Sequence, residues 1–169
     1  RSTPKPSSAA SDVYKRQEIT NDMREEAQRQ ADELPALNHS IRQGEGNVYG
    51  FLGELVFVKH KGGQQKNTYD YDIVMASGNT CDVKTKCVTS VPRIEYECSI
   101  SAGHTKQKCD FYAFVRVTKD LQRGWYCGAI SKADFFKKAR FVPAGEPDGS
   151  NKWIPKVDCY NVTIGDLTY

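Results

Sequence analysis

Residues 68–86, TYDYDIVMASGNTCDVKTK, constrain this chain more than any other stretch. An apolar run ends in the turn signal Ser77-Gly78-Asn79 and a second short run follows, the pattern of a β-hairpin. On the second strand Asp82 and Lys84 share a face, because side chains alternate with period two, while Cys81, Val83 and Thr85 point the other way. Whether Asp72 joins them depends on register. A Ser77-Gly78-Asn79 loop pairs Ala76 with Thr80 and sets Asp72 opposite Lys84; a Gly78-Asn79 loop turns Asp72 to the opposite face. The expectation is the first register, or a splay of the strands with the same result. Two acids and a lysine then converge as a metal site with a cation beside it.

Upstream, Glu54 is the only charge in residues 48–58, VYGFLGELVFV. A helix this apolar buries much of its surface, and a buried carboxylate needs a cation, a donor or a proton. Gly50 and Gly53 bracket a face without side chains, on which the helix could approach a sheet closely. The alternative is an acid at the exposed edge of an amphipathic helix.

The first residues are not read as part of the fold. Residues 7–17, SSAASDVYKRQ, back-translate to a sequence resembling a sequencing-library adaptor that ends in a transposase recognition sequence. Arg1-Ser2-Thr3 fits the adaptor's preceding segment, with Pro4-Lys5-Pro6 as a variable index. Residues 1–17 are therefore expected to be a non-native, disordered leader, and 18–169 a single domain. Setting the leader aside takes the 24 basic and 21 acidic residues of the chain to 20 of each. The net charge of +3 then carries no argument for a nucleic-acid partner, and any basic surface must be local.

No apolar run approaches the roughly 20 residues of a membrane helix. The cysteines at 81, 87, 98, 109, 127 and 159 never form CxxC, so free buried thiols of a cytoplasmic protein are expected rather than a zinc cluster or disulfide scaffold. The spacing predicts helices over 18–34, with Ile19, Met23, Ala27 and Leu34 as its stripe, and over 48–59, ended by Gly62-Gly63. Strands follow at 70–76, 80–86, 93–101, 111–118 and 124–130, with a short helical link before the fourth. Ser131 caps a helix over 131–139, residues 143–155 form a loop, and 157–169 carry no assignable pattern. The order implies an α/β sandwich on a central mixed sheet with an antiparallel hairpin, flanked by helices.

The GFLGE segment with Glu54, YDIV with Asp72 and CDVKTK with Asp82 and Lys84 occur in the order of a metal-dependent nuclease. With the later strand CDFYAFVRV, residues 40–130 resemble the PD-(D/E)XK nuclease superfamily, the restriction-endonuclease-like fold, and are similar in style to phage-encoded or marine-viral members. Tyr71 stands where the family has Pro, and the Gln-x-x-x-Tyr helix of its exonuclease branch is absent, since Phe111 follows Gln107 at that spacing. The resemblance implies a Mg²⁺-dependent DNA endonuclease, with Mn²⁺ as a substitute, acting in phage DNA processing, repair or recombination. Asp72, Asp82 and the Val83 carbonyl would hold the metal, and Glu54 would bind a metal or orient Lys84. Lys84 would orient or deprotonate the attacking water. Lys86, Lys106, Gln107 and Lys108 are candidate contacts to DNA, as are Ser40, Arg42 and Asn47 ahead of the Glu54 helix. Dimerisation would suit double-strand cutting. A catalytically silent nucleic-acid-binding module on the same fold is the alternative; a structural protein with surface acids is a third reading.

Overall fold

A computed structural model describes residues 15–34, 45–150 and 152–168. Thirteen residues, Asn21–Glu33, form helix α1, which Thr20 caps by accepting a hydrogen bond from the Met23 N–H at 3.2 Å. Ile19, expected on the helical stripe, is buried just ahead of the cap, Ala27 is buried on the stripe, and Leu34 is exposed beyond its end. Helix α2 spans Glu45–Lys61, beginning three residues earlier than the apolar run suggested.

Strand β1 (Lys15–Glu18) precedes α1, and strands β2 (Gln64–Gln65), β3 (Ile73–Val74) and β4 (Thr80–Val88) follow α2. After β5 (Glu97–Ser101) and a 3₁₀ turn at Ala102–His104 come β6 (Phe111–Thr118) and β7 (Arg123–Ser131). Helix α3 (Lys132–Lys138) is capped by Ser131 as expected, and β8 (Arg140–Val142) and β9 (Cys159–Thr163) complete the chain with a 3₁₀ turn at Ile164–Asp166.

The protein is α/β. A six-stranded mixed sheet has the order β1-β7-β6-β4-β3-β2, parallel only between β4 and β6. A second sheet, β5-β9-β8, is antiparallel. One core, with Leu52, Val56, Phe57, Ile73, Val83 and Val115, joins the helices α1 and α2 to one face of the large sheet. The other, with Ile100, Tyr112, Phe114, Ile130, Phe135 and Val162, joins the small sheet and α3 to the opposite face. The strand expected at 93–101 therefore leaves the central sheet. The apolar faces of β4 and β6 alternate, and both must be covered.

Residues 15–17, placed by the sequence reading in a disordered leader, lie in β1 and pair antiparallel with Tyr126, Trp125 and Gly124 of β7. Edge pairing uses main-chain groups, so it selects weakly for side chains and is hard to foresee. The six cysteines are free, five of them buried. Burial pushes the Cys81 and Cys98 thiols well above their ordinary range, which keeps them inert. Among the described residues, no helix is long and apolar enough to cross a membrane.

Candidate active site

The hairpin is built on a register two residues away from the expected one. Ile73 pairs with Cys81 and Val74 with Thr80, so the loop is Ala76-Ser77-Gly78. Gly78 donates to the Met75 carbonyl at 2.8 Å and Met75 to the Asn79 carbonyl at 2.8 Å. Gly78 adopts φ 88°, the left-handed conformation that ends a three-residue hairpin loop, and this requirement moved the turn. A slip of two preserves the face of every side chain. Asp72 therefore falls across from Asp82 rather than from Lys84, on the face expected for it.

Strand β3 is also shorter than the expected 70–76. Ahead of Ile73 the chain folds back, with the Lys66 and Asn67 N–H groups donating to the Asp72 carbonyl at 2.7 and 3.2 Å. The Asp72 carboxylate takes the place of a ladder partner and accepts from the Val83 N–H at 2.8 Å. One strand residue aims its N–H and C=O at the same edge, so the Val83 carbonyl faces this splay too.

Glu54 reaches the splay from α2. Gly53 beside it lies directly on Thr85 of β4, where an added Cβ would come within 1.8 Å of Oγ1. Gly50, expected to share this role, has open space around it. Glu54 is 5% exposed and Asp82 4%, so neither is a surface charge. Among the described residues, Glu54 Oε1 and Asp82 Oδ2 are buried without a hydrogen-bond partner, although Lys84 Nζ stands 2.7 Å from Asp82 Oδ2 as an ion pair.

The electrostatics are those of crowded acids. Burial first, then the charges of Asp72 and Asp82, push Glu54 up to about 9, against a hydrogen bond from Gln65. Burial and Asp82 push Asp72 up to about 7, with the Val83 N–H and Lys84 opposing. Like charges at this range cannot all ionise in a dry site without a cation. Among the described residues no three His, Cys, Asp or Glu side chains are already drawn in to hold a metal ion. Yet the orphaned oxygens are hard, anionic donors of the kind Mg²⁺ takes.

Gln107, expected as a contact to DNA, is buried and holds the lysine: its Oε1 lies 3.4 Å from Lys84 Nζ, and its Nε2 donates to the Tyr69 carbonyl at 2.7 Å. Lys132, which the sequence did not single out, donates to the Gln107 carbonyl. His104 stands close enough that burial and then Lys84 lower its pKa. Gln65 was equally unmarked; it bonds Gln30 Oε1 at 3.1 Å as well as Glu54.

Lys106 and Lys108 are exposed, and the Lys108 N–H donates to Asp70 Oδ1 at 3.0 Å. Lys86 is half-buried with its Nζ 4.1 Å from the centre of the Trp153 ring, and burial pushes it down to about 8. Ser40 and Arg42 lie outside the described residues; Asn47 is in α2, its side chain outside them. No protein-family model and no curated protein matches this chain.

Proposed function

We propose that the protein is a metal-dependent DNA endonuclease of restriction-endonuclease-like architecture, hydrolysing phosphodiester bonds. The observation that carries this reading is the buried Asp82–Lys84 ion pair at 2.7 Å, with the Asp72 carboxylate on the neighbouring Val83 N–H and an unpartnered, buried Glu54 oxygen reaching in from α2. Glu54 and Asp82 are buried rather than solvated, which disfavours the reading of these acids as surface charge.

Asp72, Asp82 and the Val83 carbonyl would hold Mg²⁺, with Glu54 as a further ligand. The ion would supply Lewis-acid stabilisation of the scissile phosphate and ease deprotonation of water. Lys84 orients the attacking water and offsets the negative charge that develops on the phosphate. Asp82 holds that ammonium in place, and Gln107 fixes its far side. Lys106 and Lys108, exposed on either side of Gln107, would contact the phosphate backbone.

The test incubates the full chain with supercoiled, linear, single-stranded and branched DNA in Mg²⁺ or EDTA, beside Lys84→Ala. Metal-dependent cutting that the variant loses is the expected result. Folded protein that cuts nothing with Mg²⁺ or Mn²⁺ but binds DNA would make this a silent binding module on the same fold.

A further inference from the structure

We propose that the pocket adjoining Lys84 receives one unstacked nucleotide, its base on the Trp153 ring and its phosphate on Lys84 and Lys86. The proposal rests on the nuclease reading above and narrows its substrate to DNA with an unpaired base beside the scissile bond.

The pocket has a volume of about 190 Å³, and Lys84, Lys86, Glu97, Arg116 and Trp153 line it together with apolar side chains. It begins where the acid cluster ends. Asp82, Lys84 and Lys86 follow one another on one face of β4, and the two lysines are spaced about 6.6 Å along the strand. That spacing is close to the span of one nucleotide of extended backbone, so a strand whose scissile phosphate lies at Lys84 has its neighbouring phosphate at Lys86.

Trp153 is set at the rim by a built loop. Asp148 and Trp153 form a bridge, with the Asp148 N–H donating to the Trp153 carbonyl at 2.8 Å. Gly149 allows that loop to lie on the Glu97 side chain, since a Cβ there would fall 1.5 Å from Oε1. The Lys86 ammonium rests on the Trp153 ring face, and among the described residues it forms no ion pair. A half-buried cation parked on an aromatic face gains more from a phosphate, and its departure frees the ring for a base.

The floor is polar. Glu97 is 1% exposed, and neither carboxyl oxygen has a hydrogen-bond partner among the described residues; the buried Ser99 Oγ is in the same position. Arg116, also buried, donates to the Glu97 carbonyl at 2.8 Å and covers the Tyr96 ring. A base inside a duplex is already stacked on both faces. Only an unstacked one can offer a face to Trp153.

The experiment measures anisotropy of labelled single-stranded DNA and of blunt duplex of the same sequence, in EDTA, with the full chain and its Trp153→Ala, Trp153→Phe and Lys86→Gln variants. Trp153→Ala is expected to weaken single-strand binding about tenfold, within the range of one lost base stack, with Trp153→Phe retaining most of it and duplex binding unchanged. Lys86→Gln should lower the salt dependence by about one phosphate contact. Equal losses on both DNA forms, no loss in Trp153→Ala, or binding of duplex alone overturns the proposal. Because no cutting is measured, this failure is separate from that of the nuclease reading, which Mg²⁺-dependent cleavage decides.

Discussion

Gly53 and Thr85 leave no room between them: a Cβ at position 53 would sit 1.8 Å from Thr85 Oγ1 and 2.8 Å from Thr85 Cβ and Cγ2. Thr85 is β-branched and fixed in β4 opposite Val115 of β6, so it cannot turn aside cheaply. This contact sets the height of α2 above the strand, and Glu54 is the next residue. Gly53→Ala is expected to cost about 1–3 kcal/mol from overpacking, against a helix-propensity gain of about 1 kcal/mol. It should also weaken divalent-cation binding. Thermal melts with and without Mg²⁺ measure both, and unchanged affinity would show that the contact does not position Glu54.

The crowded acids make stability depend on pH in a defined direction. With Glu54 pushed up to about 9 and Asp72 to about 7, the folded state keeps protons that the unfolded chain has released. Metal-free stability therefore declines as pH rises from about 5 toward 9. Glu54→Gln is expected to flatten the decline above neutral pH and to raise the melting temperature at alkaline pH. Melting curves in EDTA across that interval check it; a profile that stays flat for the parent protein would remove the crowding argument.

A divalent cation should reverse the trend. Mg²⁺, Mn²⁺ or non-catalytic Ca²⁺ is expected to raise the melting temperature, and more so at higher pH, because binding displaces protons from Glu54 and Asp72. Asp82→Asn should reduce cation affinity about tenfold or more without unfolding the protein, since it removes a buried charge. Calorimetric titration of the two proteins at two pH values distinguishes this from a general salt effect.

Lys84→Ala is expected to lower cleavage about 10²–10⁴-fold with little change in melting temperature. Gln107→Ala should act through Lys84, lowering kcat more than it alters KM and shifting the alkaline side of the pH–rate profile. Gln107→Glu, which keeps an acceptor for the ammonium, should recover part of the rate. A loss of kcat in Gln107→Ala with an unmoved pH profile and no rescue would assign Gln107 a packing role only.

Much of the site was legible because its residues violate local expectation. Glu54 is a charge in an apolar helix, and Asp82 and Lys84 occupy a strand, where such residues are depleted. The face shared by Asp72 and Asp82 survived the wrong loop because parity, not register, decides it. The small sheet was not legible. Strand β8 has three residues, and β9 carries Asn161, fully buried, whose Nδ2 donates to Asp148 Oδ2 at 2.9 Å. A polar residue satisfied by a loop thirteen residues away leaves no periodic trace in its own segment. Gln107 had a similar fate: it was noticed, but its partners Lys84 and Tyr69 lie 23 and 38 residues off.

The pairing of β5 with β9 also orders events during synthesis. Glu97 faces Thr163 across that ladder, so the floor of the Trp153 pocket has no wall until residues 159–163 have left the ribosome. The hairpin carrying Asp72, Asp82 and Lys84 closes over a handful of residues and can form long before. A nascent or prematurely ended chain would thus own the acid–lysine cluster without the floor of the Trp153 pocket, and a truncation near residue 158 isolates one from the other.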